Sequence, residues 1–402
     1  MKIRLGNLSN QKFLFLLGIT IIYIALVAWL HLLRGPYSGD EDHFWKASLT
    51  FSHRLLPSID DLRSYGELST PLPFIIFGGL EYLFHQGIFA GRLLNLTLSL
   101  IIVFIIGWPS QNRNGRAILC LIGLFICPSY LSYSGRLYTE QIACFLLLIG
   151  FVSYCNNRHL LSSFAFILAI ASRQFLVVFP LAIATYEFIF AITQVKTPRR
   201  FSLIAQWRCL APLIAALSVF GWIYLFQGLS PNIGLSVDSF PEVQRTLWAL
   251  TPGASVNCLA AVGLYLVIPE FILFQQPVKL QAVKQQWRKI VIIAICLLLY
   301  VLVFPPLLYG FGHLIRIVNL LPNDLLKMTL FYSLALLACI RFCQPDLFSL
   351  MVLFNALIMA KAYPWDKYVL PLVIVFWYLK SIDFKKGLKS VYYSTFLNHE
   401  VR

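Results

Sequence analysis

The chain has 402 residues, of which 59% are hydrophobic and 12% charged, and its mean hydropathy is +0.76. This composition describes a chain made mostly of membrane spans, and the long unbroken apolar runs favour helices and exclude a closed β-barrel. The formal net charge of +15 would indicate nucleic-acid binding in a soluble protein, so the distribution of that charge along the chain decides its meaning.

Apolar runs predict about twelve transmembrane helices in one integral-membrane domain that covers residues 1–402. The first run is too long for the hydrophobic region of a cleaved signal peptide and is expected to remain as the first span. The predicted fold is therefore an all-α polytopic bundle. Its spans are expected near residues 13–33, 89–107, 117–134, 137–154, 160–172, 174–193, 209–226, 257–275, 290–310, 326–342, 346–362 and 367–380.

The charges predict the orientation of this bundle. With both termini in the cytoplasm, the inner side carries most of the 32 basic residues and, among the acids, only Asp346, Asp383 and Glu400. This is the positive-inside pattern. The basic excess is then explained by orientation and by attraction to the anionic lipids of a bilayer, and no nucleic-acid partner is predicted. A bacterial inner membrane and an endoplasmic reticulum membrane both fit the pattern.

Two predicted non-cytoplasmic loops are longer than simple connectors, as is typical of loops that build a lid or a site. The first covers residues 34–88 and the second residues 227–256. Within the first, residues 71–84 are apolar but short and contain two glycines, which predicts an interfacial helix. The same topology brings charged residues from four places in the sequence to one non-cytoplasmic face, namely Asp40, Glu41, Arg136, Glu140, Arg173, Asp366 and Lys367.

The nine cysteines are scattered singly, mostly within apolar runs, where they behave as small hydrophobic residues. They predict neither disulfides nor a metal site. The sequence also has no Walker loop, no metal-binding histidine pair and no Gly-x-Ser-x-Gly motif, which argues against soluble nucleotide chemistry. No cofactor is predicted, although the acidic residues 40–42 leave room for a divalent cation.

Residues 40–46 carry the most informative motif, Asp-Glu-Asp-His-Phe-Trp-Lys. This stretch resembles the Asp-Glu-x-His-Phe-x-Lys sequence that follows the first span of the protein O-mannosyltransferases, which are integral-membrane GT-C glycosyltransferases. Those enzymes use sugars linked to a lipid phosphate. The resemblance therefore implies a GT-C-like bundle and a donor of that class.

A second resemblance is to the dolichyl-phosphate-glucose-dependent α-1,2-glucosyltransferases, and it rests on the order and spacing of short motifs over roughly residues 34–185. His43 follows Glu41 by two residues, as in the mannosyltransferases, whereas the glucosyltransferases have three, and Lys367 stands where arginine is common. The motifs are Arg-Gly-Pro-Tyr at 34–37, Thr-Pro-Leu-Pro at 70–73, Gly-Arg-Leu-Leu-Asn-Leu at 91–96, Leu-Tyr-Thr-Glu at 137–140, Arg-Gln at 173–174 and, resembling the opening of a late span in many GT-C enzymes, Asp-Lys-Tyr-Val-Leu-Pro at 366–371.

The resemblance implies an inverting transfer of one sugar from a polyprenyl-phosphate carrier to a hydroxyl of a glycan, lipid or protein acceptor. A lipid phosphate is a good leaving group, so the reaction needs a base for the acceptor hydroxyl and cations for the developing phosphate charge, but no general acid. Asp40 is the predicted base and Glu41 its helper. The predicted donor-phosphate ligands are Arg136, Arg173 and Lys367, and the predicted substrate contacts are His43, Glu140, Gln174, Asp366 and Tyr368.

Two other function classes stay open at this stage. A transporter or flippase for a polyprenyl-linked glycan also needs intramembrane charges and about a dozen spans. A catalytically inactive scaffold or acceptor-binding subunit is the third class. The site residues have structural alternatives as well: a helix cap for residues 40–43, an ion pair four residues apart for Arg136 and Glu140, snorkelling for Arg173, and a span-end charge pair for Asp366 and Lys367.

Overall fold

The chain folds into α-helices joined by turns. The computed structural model describes residues 8–30, 39–110, 113, 115–194, 203–235, 241–246, 248–274 and 280–384. Within these ranges the regular structure is helical apart from one isolated β-bridge, which joins Phe311 to Trp365. The predicted all-α fold is thereby confirmed.

The helices are numbered in chain order. Those of the first half are α1 (Leu8–Trp29), α2 (Asp40–Leu49), α3 (Ile59–Ser64), α4 (Leu72–Phe84), α5 (Ile88–Gly107), α6 (Arg116–Phe125), α7 (Pro128–Ser134), α8 (Thr139–Cys155), α9 (His159–Ser172), α10 (Val178–Gln194) and α11 (Leu203–Leu217). Those of the second half are α12 (Val219–Phe226), α13 (Asn232–Leu235), α14 (Glu242–Arg245), α15 (Gly253–Val262), α16 (Ile268–Phe274), α17 (Leu280–Val303), α18 (His313–Val318), α19 (Asp324–Arg341), α20 (Leu347–Met359) and α21 (Leu370–Ser381).

Three further segments adjoin these helices and have 3₁₀ or π-helical geometry. Two 3₁₀ segments, Gln174–Val177 and Asp366–Val369, lead into α10 and α21. A π-helical turn over Gly263–Val267 joins α15 to α16. The two 3₁₀ segments matter for function because each begins beside a charged residue of the site described below.

Several helices are suited to a membrane. Within the described residues, five stretches are long and apolar enough to cross one: Ser9–Trp29, Ile88–Gly107, Gln174–Ile192, Trp207–Phe226 and Gly253–Phe274. The pair α6 and α7 qualifies together as a sixth, with a bend of 79° between the two helices. The bend follows from Pro128 at the start of α7, because the residue before a proline is driven out of the helical conformation.

Four shorter helices, α4, α8, α9 and α20, are also apolar. The chain is therefore an all-α membrane protein with several candidate spans. The count of about twelve spans and the cytoplasmic position of the termini stay predictions. The segment predicted as an interfacial helix forms α4, and its location at the membrane surface stays a prediction too.

Helix α21 forms the centre of the bundle. Residues 370–379 are all buried, and the helix packs against α6 and α8. The ring of Trp377 fills the space beside Gly123, where a Cβ atom would lie 2.4 Å from the ring. Because α21 is fixed at the centre, the 3₁₀ segment that leads into it and carries Lys367 is fixed as well.

Helix α2 holds the acidic motif against the rest of the bundle. It starts after Gly39, whose φ of 59° favours glycine, and the acids 40–42 in its first turn suit the positive end of the helix dipole. The helix lies so close to α4 that a Cβ atom on Gly78 would come within 2.5 Å of the carbonyl oxygen of Ser48. This close packing fixes the position of Asp40.

Candidate functional site

A cavity of about 840 Å³ lies where the first turn of α2 meets residues 67–69, α14 and the segment before α21. Its volume is in the range of small-molecule sites, and its wall combines charged, aromatic and aliphatic side chains. The charged lining residues are Asp40, Glu67, Arg173, Glu242, Arg245, Lys361 and Lys367. The aromatic lining residues are Phe44, Phe175, Phe311, Tyr363, Trp365 and Tyr368.

Asp40 and Lys367 form an ion pair in this cavity. The Nζ atom of Lys367 donates to Oδ2 of Asp40 over 2.8 Å. The Lys367 side chain is 3% exposed, whereas that of Asp40 is 30% exposed. The cation is thus enclosed by protein, while the carboxylate presents part of its surface to the cavity.

Two further groups stabilise the buried charge of Lys367. Its Nζ atom lies 3.3 Å from the ring centroid of Trp365, which is a close cation–π contact. It also lies 3.6 Å from Oε1 of Glu140. A buried ammonium needs such compensation, because its removal from water is costly.

Glu140 joins Lys367 to a second cation, Arg173. The Nη2 atom of Arg173 donates to Oε1 of Glu140 over 2.5 Å, and both side chains are buried. The guanidinium also lies 5.7 Å from the ring centroid of Phe44 on α2. Two acids and two bases therefore alternate along one network of Asp40, Lys367, Glu140 and Arg173.

Gln174 acts on the backbone beside the cavity. Its Nε2 atom donates to the carbonyl oxygen of Leu68 over 2.8 Å, and its Oε1 atom accepts from the amide of Thr70 over 3.2 Å. The Thr70 hydroxyl in turn donates to the carbonyl oxygen of Ile170 over 2.8 Å. The predicted substrate contact Gln174 thus holds residues 67–69 in the cavity wall.

Glu41 points away from the cavity that its neighbour Asp40 lines. Adjacent residues of a helix project about 100° apart, and Glu41 is buried in a bidentate ion pair with Arg92 of α5, with N···O distances of 3.1 and 2.8 Å. It also accepts the amide of Leu137 over 2.6 Å. These contacts tie α2 to α5 and to the start of α8. The predicted role of Glu41 as helper of Asp40 stays a prediction. Its contacts with Arg92 and Leu137 support a role in holding α2, and with it Asp40, in place.

Asp366 makes a hydrogen-bonded junction behind the site. Its Oδ2 atom accepts from the hydroxyl of Tyr265 over 2.6 Å and from the amides of His313 and Leu314 over 2.8 and 3.0 Å. The carboxylate caps the first turn of α18 in this way. Asp366 borders a separate, smaller cavity, and Lys367 forms its ion pairs with Asp40 and Glu140.

The remaining predicted residues divide between the cavity and its surroundings. His43 and Tyr368 line the cavity, and Tyr368 packs edge-on against Phe175 with ring centroids 5.4 Å apart. Arg136 is half-buried and lies outside the cavity lining. Its backbone carbonyl oxygen accepts from the side-chain amide of Asn95 over 2.7 Å. The cavity therefore gathers Asp40, His43, Arg173, Gln174, Lys367 and Tyr368 but not Arg136.

Glu67 lines the cavity, and no role was predicted for it from the sequence. The residue is 5% exposed, and burial raises its pKa from 4.5 to about 7. The positive charge of Arg173 opposes this shift, whereas the negative charge of Asp40 adds to it. An acid in an irregular segment carries no local pattern that predicts burial, so only the tertiary contacts reveal it.

Among the described residues, no three His, Cys, Asp or Glu side chains cluster closely enough to hold a metal ion. The nine cysteines all lie in described ranges as free thiols. Each acid of the network of Asp40, Lys367, Glu140 and Arg173 forms an ion pair with a basic side chain.

Comparison with known proteins found no match among family models, curated proteins or solved structures. The fold and the site themselves define an all-α membrane protein with a cavity that combines acids, cations and aromatic rings.

Proposed function

We propose that the chain is a GT-C-type membrane glycosyltransferase that moves a sugar from a polyprenyl-phosphate carrier to an acceptor hydroxyl on the non-cytoplasmic side. The observation that carries the proposal is the meeting of Asp40 with Lys367 and Arg173 in one cavity of about 840 Å³. A carboxylate opposite two cations is the arrangement that such a transfer needs.

Asp40 is the proposed general base. In the reaction, the acceptor oxygen forms a bond to the anomeric carbon while the bond from that carbon to the phosphate oxygen breaks. The electron pair of the broken bond leaves with the polyprenyl phosphate, and the hydroxyl proton passes to the Asp40 carboxylate. The exposed part of Asp40 makes this contact feasible, and the ammonium of Lys367 orients the carboxylate.

Lys367 and Arg173 are the proposed phosphate ligands. Their charges are already balanced by Asp40 and Glu140, so a donor phosphate needs further positive charge. Outside these two pairs, the cavity lining carries the basic side chains Arg245 and Lys361 and the acids Glu67 and Glu242. Because burial raises the pKa of Glu67 to about 7, protonation of Glu67 would leave this part of the wall with an excess of positive charge. Arg136 lies outside the cavity lining, and its predicted contact with the donor phosphate stays a prediction.

The aromatic and aliphatic part of the wall suits the lipid portion of the donor. Tyr368 and Phe175 lie on the same cavity as the charged groups, and Val219 and Ile358 add aliphatic surface. A polyprenyl-phosphate sugar has the same division into an anionic head and an apolar tail. The proposed acceptor is a hydroxyl of a glycan, lipid or protein.

The proposal is tested by incubating the purified protein with a panel of polyprenyl-phosphate sugars and candidate acceptors. We expect release of polyprenyl phosphate together with a glycosylated acceptor for one member of the panel. Movement of an intact polyprenyl-linked glycan across a vesicle membrane without release of the lipid phosphate would instead identify a transporter or flippase. Binding without either event would identify an acceptor-binding subunit.

A further inference from the structure

Three polar groups lie on one wall of the cavity: the carboxyl group of Glu67, the hydroxyl of Ser69 and the Nε atom of Arg173. Within the described part of the chain, the Ser69 hydroxyl and the Arg173 Nε atom have no hydrogen-bond partner. Glu67, Ser69 and Arg173 are 5%, 6% and 8% exposed, respectively. Buried polar groups are almost always paired in proteins, so two unpaired groups on the wall of one cavity indicate a place where a polar ligand binds.

The segment that carries Glu67 and Ser69 is held firmly. The carbonyl oxygen of Leu68, between them, accepts from Gln174 and from the hydroxyl of Ser230, each over 2.8 Å. The hydroxyl of Tyr65 donates to the carbonyl oxygen of Ser69 over 2.6 Å. On the outer side, Gly234 packs so closely that a Cβ atom there would lie 2.7 Å from the Glu67 carbonyl oxygen. Residues 67–69 are therefore fixed before any ligand arrives.

We propose that Glu67, Ser69 and the Nε–H of Arg173 form a subsite that binds the hydroxyl groups of a neutral sugar ring. A serine hydroxyl and a protonated carboxyl group can each donate a hydrogen bond to a sugar hydroxyl and accept one from it. The Nε–H of arginine donates to a sugar oxygen. The subsite rests on the proposed function in one respect, since that function makes a sugar the ligand.

The charge of Glu67 favours a neutral group over a phosphate in this subsite, although Arg173 borders both the subsite and the proposed phosphate position. Glu67 brings a negative charge when ionised and faces Asp40, so an anionic group bound beside it would be repelled. Nη2 of Arg173 already donates to Glu140, whereas Nε–H has no partner within the described residues. The two groups lie on the same edge of the guanidinium, so a sugar oxygen bound to Nε–H would lie beside Glu140.

Binding of free methyl glycosides tests the subsite directly. The protein is placed in phosphatidylcholine nanodiscs, because maltoside and glucoside detergents carry competing sugars. Saturation-transfer NMR is then recorded with methyl glycosides of glucose, mannose and galactose, with hexyl phosphate as the anionic comparison. We expect saturation of the ring protons of at least one glycoside, and a dissociation constant weakened at least about tenfold by Glu67→Gln and by Ser69→Ala.

Asp60→Asn is the matched control, because Asp60 is an exposed acid of the same loop. It is expected to bind the glycoside as the native protein does. Glu67→Gln keeps the size of the side chain and Ser69→Ala removes one non-hydrogen atom. An unfolding temperature no lower than that of the native protein would exclude loss of folding. Native binding by both variants, or no glycoside binding by the native protein, would overturn the subsite.

The outcomes also separate the subsite from the proposed function. Glycoside binding that depends on Glu67, without release of polyprenyl phosphate from any donor, would retain the subsite and reject the transferase. Sugar transfer with glycoside binding unaffected in Glu67→Gln and Ser69→Ala would retain the transferase and reject the subsite.

Discussion

The ammonium group of Lys367 lies 2.8 Å from the carboxylate of Asp40, although 327 residues separate the two in sequence. Asp40 begins α2, and Lys367 lies in the 3₁₀ segment before the central helix α21. The ion pair therefore joins the acidic motif near the start of the chain to the centre of the bundle. Its disruption is expected to affect both stability and function.

Lys367→Met should lower the free energy of unfolding by about 3 kcal/mol, because it leaves Asp40 without its cation and weakens the compensation of buried Glu140. Lys367→Arg retains the charge and should keep part of the transfer activity. Thermal unfolding and release of polyprenyl phosphate measure the two effects. The matched control is Lys46→Met, which removes an exposed pair with Asp42 and should cost less than about 1 kcal/mol.

The pair of Glu41 and Arg92 should behave as one structural unit. Glu41→Gln and Arg92→Met are each expected to destabilise the protein, since each removes one charge of a buried ion pair and leaves the charge of the other residue in place. In a double-mutant cycle the two losses should be less than additive, with an interaction energy of about 0.5–3 kcal/mol. Strictly additive losses would argue against the pair as the link between α2 and α5. If Glu41 helps Asp40 only by positioning α2, the activity of Glu41→Gln should fall no further than its loss of folded protein explains.

The raised pKa of Glu67 predicts a dependence of stability on pH. In the unfolded chain this carboxyl loses its proton near pH 4.5, and in the folded protein it keeps the proton up to about pH 7. The folded state binds more protons between these values, so the free energy of unfolding falls as pH rises from 4.5 to 7, by about 3 kcal/mol from this group. The charges that face Glu67 are those of Arg173, Asp40, Lys367 and Glu140.

Glu67→Gln removes that contribution. The variant is expected to unfold at a higher temperature than the native protein above pH 7, and the difference should shrink toward zero near pH 4.5. Thermal unfolding across this range, with Asp60→Asn as the exposed control, measures the difference. A difference that is the same at all pH values would show that Glu67 does not titrate near neutrality.

The helices were predictable because apolarity and length determine them locally. The run predicted at 89–107 forms α5, and the acidic residues 40–42 begin a helix, as their charge favours. The partner of Glu140 was not predictable in the same way. A spacing of four residues suggested Arg136, but α8 begins at Thr139 after an extended Tyr138, so Arg136 and Glu140 do not share a helical face.

The site required long-range contacts that the sequence does not encode locally. Glu140 pairs instead with Arg173, which follows α9, and with Lys367 of the 3₁₀ segment before α21. The topology inferred from the charges predicted one face for Asp40, Arg173 and Lys367, and the structure brings the three into one cavity. The place of Glu67 in the cavity wall depends on the contacts of its segment with Gln174 and Gly234, which are distant in sequence.

The rate of polyprenyl-phosphate release by Asp40→Asn tests the central claim most directly. Asparagine keeps the shape of the side chain but cannot take the acceptor proton, so release should slow by about 10²–10⁴-fold while the donor still binds. Asp42→Asn, on the exposed side of the same helix, should release at the native rate. Native release by Asp40→Asn from a donor that the native protein uses would contradict the account.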